Sequence, residues 1–509
     1  MRLTDPATLL LFLLAFALRF NAESLWRDEV DSVRFALQPV DTLLARFTEM
    51  GFNGPFYHAL LKGWFALAGV HDFTLRYFSL IWGVVQVALI HALGRRLFGS
   101  PADQLAAWLA ATSPVLIWYA GEGKMYTLQP ALLMLALYAL LRACAPVAAS
   151  RARPMWRLGW WVTFIVATSV SFYTHLLSPL FLVVAALFFL ATWSAAHRAL
   201  RPSMLALALL TLPYLPLLAW QAPTLLQGGD IGHPFYPLDQ IVWALAVIWS
   251  FGLDPHAPLW PGVSPLGLLG VRLAWIAVVL VIVVVDLVSS ARQARWNALS
   301  AQRLRWQCAL LGWLTLPTLL VFLISLRLPL FQPRYVLWSA PALYLLLAAG
   351  LARLLTLKGL AGRFGLLAIG VASLIALSGA AAQKLHPIRP DLRGAVACLL
   401  QRAQPSDAIV FQIPYAHHSF TYYASQVGYS TAQFRLIEAP YTNHGMTDSE
   451  LKAVMSVLTN GAQRVWLFET EAAMWDSRRM VRRWFDASLK LAARCDQRAV
   501  EVGLYRPSD

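Results

Sequence analysis

The feature that most limits what this chain can become is a series of long apolar runs. Leu273–Val285 and Phe364–Ala382 are clear examples, and such runs approach the ~20 residues that a membrane-spanning helix needs. In hydrocarbon a backbone must satisfy its own hydrogen bonds, and an unbroken apolar run does so as a helix. Composition agrees. Of 509 residues, 59% are hydrophobic and 13% are charged, against roughly 25% charged in soluble domains. The chain reads as a mainly α, polytopic membrane protein.

The net charge of +15 raises the question of nucleic acid. Outside the C-terminal tail, most basic residues fall in short loops between apolar segments, as the positive-inside rule expects. No Lys/Arg stripe interleaved with aromatics lies on a polar domain, so no nucleic-acid partner is expected. The 21 Trp and 16 Tyr suit interfacial belts as well as they suit ligand sites.

Eleven spans are expected, by about one segment per apolar run. They are Thr8–Phe20, Phe78–Leu97, Gln104–Tyr119, Tyr126–Leu141, Gly159–Thr174, Ser178–Trp193, Met204–Trp220, Leu268–Val288, Ala309–Ser325, Tyr335–Leu355 and Phe364–Ala382. The first resembles a signal peptide in length, but Arg19 interrupts its end and no small-x-small cleavage site follows, so it reads as a retained helix. Two external loops are expected, residues 21–77 and 221–267. The first contains Gly54–Phe65, whose aromatics and Leu at helical spacing suit an amphipathic helix lying on the membrane; a true span is the alternative. The second lacks Lys and Arg altogether and contains an apolar stretch, Ile241–Ser250, that reads as an embedded helix.

Assigning the Arg-rich loops to the cytoplasm puts the N-terminus inside and the tail outside. Residues 1–383 are then the membrane part and 384–509 a periplasmic α/β domain. In that domain the helical stretches Leu392–Arg402, Ser449–Leu458 and Ala472–Ala493 each precede an apolar strand: Ala408–Phe411, Arg464–Phe468 and Val500–Tyr505. In an oxidising compartment Cys398 and Cys495 can pair; two buried thiols are the alternative.

The polar residues that stand out share one expected side. Asp28 and Glu29 follow the first span, Glu122 and Lys124 sit in the turn after the third, His175 lies between the fifth and sixth, and Arg334 opens the tenth. Carboxylates with several cations suit an anionic donor and an acceptor that must lose a proton. Adjacent residues point in different directions on a helix, so one of Asp28 and Glu29 is expected to act and the other to bind a nearby backbone group or cation. Plainer readings stand beside these: N-capping acids in a solvated loop for Asp28 and Glu29, a turn acid for Glu122, a snorkelling interfacial Arg334 and a satisfied helix-end His175. Asp28, Glu122 and His175 are also metal-ligand types, so a divalent metal stays open, but nothing shows HExxH or EF-hand spacing. A transporter or flippase of a lipid-linked sugar is the rival function; it would be expected to show internal repeats or matched broken helices, and none is apparent.

Taken in order, Leu25-Trp26-Arg27-Asp28-Glu29, Gly54-Pro55-Phe56-Tyr57, Leu75-Arg76-Tyr77-Phe78-Ser79, Gly94-Arg95-Arg96-Leu97-Phe98-Gly99, Tyr119-Ala120-Gly121-Glu122-Gly123-Lys124-Met125-Tyr126 and Arg334-Tyr335 resemble the GT-C membrane glycosyltransferases. The likeness is to bacterial relatives of the protein O-mannosyltransferases and of the lipid A aminoarabinose transferase. It implies transfer of a hexose or pentose from a polyprenyl-monophosphate donor to a protein, lipid or glycan at the periplasmic face of a bacterial inner membrane. It implies Asp28 as general base, with Glu29 and Glu122 as further catalytic acids. Lys124, Arg334 and Arg27 would hold the donor phosphate, and Tyr57, His58, Tyr126 and His175 would line the substrate site. Two departures matter. Lys124 stands where the family usually has Arg, and Asn53-Gly54-Pro55 stands where it often has His-Pro-Pro.

Overall fold

The structure is a computed structural model describing residues 6–49, 52–145, 154–192, 234–253 and 263–507, with a few isolated positions between 201 and 209. The chain forms two compact units. The first comprises residues 1–21, 38–69 and 74–386; the second comprises 22–37, 70–73 and 387–509.

The first unit is helical. Among the described residues, five helices are long and apolar enough to cross a membrane: Asp72–Leu97, Pro265–Ala294, Ala298–Ser325, Pro333–Thr356 and Leu360–Leu385. Shorter apolar helices, Thr8–Leu18, Leu128–Ala143, Ser178–Ala191 and Leu238–Phe251, occupy the places of other expected segments. The expected span Met204–Trp220 and much of the 221–267 loop lie outside the described residues. The apolar window of Pro333–Thr356 is 89% buried and that of Pro265–Ala294 only 22%, so the former is the centre of this unit and the latter its surface. Ala340–Thr356 packs on Ala102–Thr112, Pro265–Ala294, Ala298–Ser325 and Leu360–Leu385.

Two local departures and one expected element bear on the site. The expected helix Gln104–Tyr119 is two helices, Ala102–Thr112 and Pro114–Ala120. Pro114 has no N–H to continue the first helix and is well suited to begin the second; the Ser113 hydroxyl accepts the Leu116 N–H at 3.4 Å as its cap. Residues 333–339 form a 3-10 turn before the helix Ala340–Thr356 begins. The segment read as amphipathic is a helix, Pro55–Ala68, of 14 residues, shorter than a span requires.

The second unit is α/β. Its five-stranded sheet has the order β2-β1-β3-β5-β4, with β1 Ala408–Phe411, β2 Arg435–Glu438, β3 Val465–Thr470, β4 Leu489–Arg494 and β5 Val500–Pro507. β1 lies parallel to both β2 and β3, while β5 runs antiparallel to β3 and β4. β1 and β3 are buried at every position, which explains the apolar runs Ala408–Phe411 and Val465–Phe468. The core includes Val410, Ile437, Met455, Leu467, Phe485 and Tyr505. Cys398 and Cys495 form a disulfide, with their Cα atoms 5.7 Å apart.

The expected helix Ala472–Ala493 is a correction. It divides into a 3-10 turn Ala472–Met474, a helix Met480–Ser488 and edge strand β4. Lys490, Ala492, Ala493 and Arg494 favour helices, but pairing with β5 overrides that preference. The helix Ala416–Gln426 and strand β2 were not anticipated from sequence.

Candidate active site

The first unit gathers most of the polar residues singled out above. After the helix Pro114–Ala120 the chain turns through Gly121-Glu122-Gly123-Lys124. Lys124 N donates to the Glu122 carbonyl at 2.8 Å. The turn is tight against its neighbour: a Cβ at Gly123 would lie 2.4 Å from Leu75 Cγ. Glu122 is buried, whereas Lys124 is partly exposed. Lys124 has no ion-pair partner among the described residues.

Tyr126, two residues on, sits beside Arg334 and His175. The Arg334 guanidinium carbon lies 5.6 Å from the Tyr126 ring centre and 5.7 Å from that of Tyr335. The His175 ring lies 5.2 Å from Tyr335 and 6.2 Å from Tyr126. Aromatic faces offset part of what a cation loses on leaving water.

His175 is buried and its protonation state follows from its contacts. Its Nδ1 accepts the Leu177 N–H at 3.2 Å, so the ring proton is on Nε2. Burial, with the nearby Arg334 charge, lowers its pKa from 6.5 to about 3. The ring is therefore a neutral donor at physiological pH. Its Nε2 makes no hydrogen bond among the described residues.

The turn bearing His175 is joined to the start of Pro55–Ala68. Asn53 Oδ1 accepts the Leu176 N–H at 3.1 Å, and Phe56 N donates to Tyr173 O at 3.1 Å. Gly54 has φ +81°, and a Cβ there would meet Met125 Cε at 2.8 Å. Asn53 and Gly54, the positions that depart from His-Pro-Pro, thus connect the His175 turn with the Lys124–Tyr126 segment. His58 and Tyr57 follow and are buried. Burial comes first in lowering the His58 pKa to about 3, with Lys124 and Arg46 adding to it.

Asp28 and Glu29 belong to the second unit, in the first turn of a helix, Arg27–Ala36. Acids are favoured there by the helix dipole. Glu29 is fully buried, and its Oε2 accepts the Trp26 N–H at 3.3 Å as a helix cap. Asp28 keeps its side chain 20% exposed, with Oδ1 3.5 Å from Arg27 Nη2. Arg27 Nε also meets Glu471 Oε2 at 3.3 Å. Burial opposes the Arg27 charge, but Asp28 and Glu471 outweigh it and raise its pKa above the ordinary value.

Sequence reasoning missed two buried ionic groups. Arg19 is 1% exposed and donates to the Ala110, Ala111 and Ala15 carbonyls at 3.0, 3.0 and 2.8 Å. Asp286 lies inside a spanning helix and receives Arg303, Gln307 and Arg353 at 2.8, 2.7 and 3.3 Å. A charge within an apolar helix was the available signal. Among the described residues no group of three or more His, Cys, Asp or Glu side chains is placed to hold a metal ion.

The chain shares its fold with solved membrane glycosyltransferase structures, and among the described residues five of its helices are long and apolar enough to cross a membrane. Residues 53–220 match the family described as dolichyl-phosphate-mannose-protein mannosyltransferase. The structure is similar to apo ArnT from Cupriavidus metallidurans, with a TM-score of 0.53 at 14% identity, covering 98% of this chain and 97% of that one. It is similar to the apo oligosaccharyltransferase of Archaeoglobus fulgidus, with a TM-score of 0.54 at 13% identity, covering 92% of this chain and 69% of that one. It is also similar to AglB from Archaeoglobus fulgidus in complex with an inhibitory peptide and a dolichol-phosphate, with a TM-score of 0.53 at 13% identity, covering 91% of this chain and 69% of that one. No curated protein matches the sequence.

Proposed function

We propose that the protein transfers a sugar from a polyprenyl-monophosphate donor to a hydroxyl or amine of a periplasmic acceptor. The observation that carries this reading is the group Lys124, Tyr126, His175 and Arg334. It offers one cation without an ion-pair partner among the described residues, a second cation over aromatic faces and a neutral N–H donor. That combination suits a phosphate next to a sugar better than it suits a neutral solute. The mannosyltransferase family match and the dolichol-phosphate held by AglB point to the same donor chemistry.

Asp28 takes the proton of the acceptor as its oxygen or nitrogen attacks the anomeric carbon. The bond from that carbon to the phosphate oxygen breaks through an oxocarbenium-like state, and its electron pair goes to the phosphate. Lys124 and Arg334 stabilise the charge that develops there. The His175 Nε2–H donates to a phosphate oxygen or a sugar hydroxyl, and Tyr57, His58 and Tyr126 shape the apolar side of the site. Glu122, buried in its turn, supports the acidic chemistry. Arg27 lies beside Asp28 and Glu471, and Lys124 and Arg334 are proposed to meet the phosphate. No step is routed through a metal.

The Arg-rich loops support an orientation with the N-terminus in the cytoplasm and residues 384–509 in the periplasm of a bacterial inner membrane. The test is incubation of membranes with labelled undecaprenyl-phosphate hexoses and pentoses, followed by fractionation of labelled product. Asp28→Asn should lower transfer by about 100-fold or more while membrane insertion stays intact. Near-normal transfer by that variant would falsify the assignment.

A further inference from the structure

We infer that the C-terminal domain holds the Arg27–Ala36 helix in place, and that Glu471 is its positioning residue. The inference rests on the reading of Asp28 as the base, and it adds the means by which that base is aimed. Contacts of Ser24, Leu25 and Arg27 carry it, all within the second unit. Ser24 Oγ donates to Pro390 O at 2.9 Å and accepts Leu392 N–H at 3.1 Å. Leu25 N donates to Tyr423 Oη at 2.5 Å, and the same hydroxyl donates to Asp72 Oδ2 at 3.1 Å. Arg27 Nε meets Glu471 Oε2 at 3.3 Å. The Arg27 guanidinium carbon lies 5.8 Å from the Tyr415 ring centre.

The contacts of Ser24 and Leu25 arrive just before the helix begins at Arg27, so they fix where it starts. The Glu471 contact fixes how it is turned. Arg27 has one guanidinium and two carboxylates near it, Asp28 and Glu471. Drawing it to Glu471 holds the first turn in one rotation and keeps the guanidinium from closing fully on Asp28. Without Glu471, Asp28 would be Arg27's nearest carboxylate, and a base engaged with a guanidinium is a poorer proton acceptor.

Glu471 itself has an unusual backbone. Its φ of +47° and ψ of +38° lie in the left-handed region, where a non-glycine residue is strained. A glycine would make the same turn without strain. The carboxylate on Arg27 is what the Glu side chain adds to that turn.

That strain gives a clean test. Glu471→Gly removes the grip while relaxing the backbone, so the domain should fold at least as well. In the full-length protein in nanodiscs, hydrogen exchange of the amides in residues 29–36 should accelerate by about tenfold or more in Glu471→Gly, with β1 and β3 unchanged. Glu471→Gln, which keeps an acceptor for Arg27, should recover part of the protection. Unchanged exchange in residues 29–36, or equal acceleration in β1 and β3, overturns the inference. With undecaprenyl-phosphate-linked labelled hexoses and pentoses, Glu471→Gly should lower the maximal rate by about tenfold and leave KM for the lipid within about twofold. A raised KM with an unchanged maximal rate overturns it too. If the wild-type protein transfers none of these sugars, the donor reading fails, and the exchange measurement still decides the grip.

Discussion

Pro114 has no N–H for the Ala110 carbonyl, and the non-helical Ser113 interrupts the ladder for Ala111 as well. Both carbonyls are instead bonded by Arg19. A cation that looked like a blemish at the end of an apolar helix is thus the group that completes a helix break between Ser113 and Pro114. Sequence shows the Pro and the Arg, 95 positions apart by subtraction of 19 from 114; it does not show that one answers the other. Arg19→Met should leave buried carbonyls unsatisfied and destabilise the protein by about 2–4 kcal/mol. A thermal midpoint indistinguishable from wild type would contradict this. His58 and His175 carry a second residue-scale expectation. Their folded pKa values of about 3 lie below the ordinary 6.5. Each therefore contributes stability that is present above about pH 6.5 and is lost as pH falls towards 3, because the unfolded chain binds the proton first. Imidazole NMR signals assigned to these two residues should not titrate between pH 8 and 5; a midpoint near 6.5 for either would rule out the buried neutral ring.

The Glu122–Lys124 turn is the element that depends most on a missing side chain. A Cβ at Gly123 would lie 2.4 Å from two Leu75 carbons, far closer than atoms approach, so the turn or the Leu75 helix must move. Gly123→Ala should reduce both thermal stability and transfer, and Leu75→Ala should restore part of each. Such a pair shares one contact, so its effects should not add; simple additivity in the double variant would show that the close approach is not what matters. Elements of this kind were legible to different degrees. The apolar helices and strands β1 and β3 announce themselves, because burial on all sides leaves a continuous apolar run. The turn was legible from Gly121 and Gly123 around a charged pair. β4 was not, because Lys490–Arg494 reads as helix until a partner strand is known. The His175 turn was not either: its ties to Asn53 and Phe56 join segments more than 100 residues apart.

At the scale of the whole molecule, composition draws a boundary near 383, where apolar helices give way to a mixed α/β sequence. Contacts group residues 22–37 and 70–73 with the tail instead. Composition cannot reveal this, since Ser24 and Pro390 are 366 positions apart. The disulfide is another long connection that spacing alone left undecided. Cys398 lies in the helix Leu392–Leu400 and Cys495 just after β4, with 97 positions between them. A loop of that size loses much conformational entropy in the unfolded chain when closed, about 4–5 kcal/mol in the chain-entropy account. The pair also bears on orientation. Disulfides persist in oxidising compartments, so a bridged tail supports the proposed periplasmic placement, as the Arg-rich loops also do. Cys308 is exposed and Cys144 is buried. Freshly isolated membranes treated with a maleimide should therefore label Cys308 under native conditions, add Cys144 on denaturation, and add Cys398 and Cys495 only after reduction. Labelling of the last two before reduction would remove both the bridge and the compartment argument that depends on it, whereas Cys398→Ala with Cys495→Ala should insert normally and lower the stability of the tail.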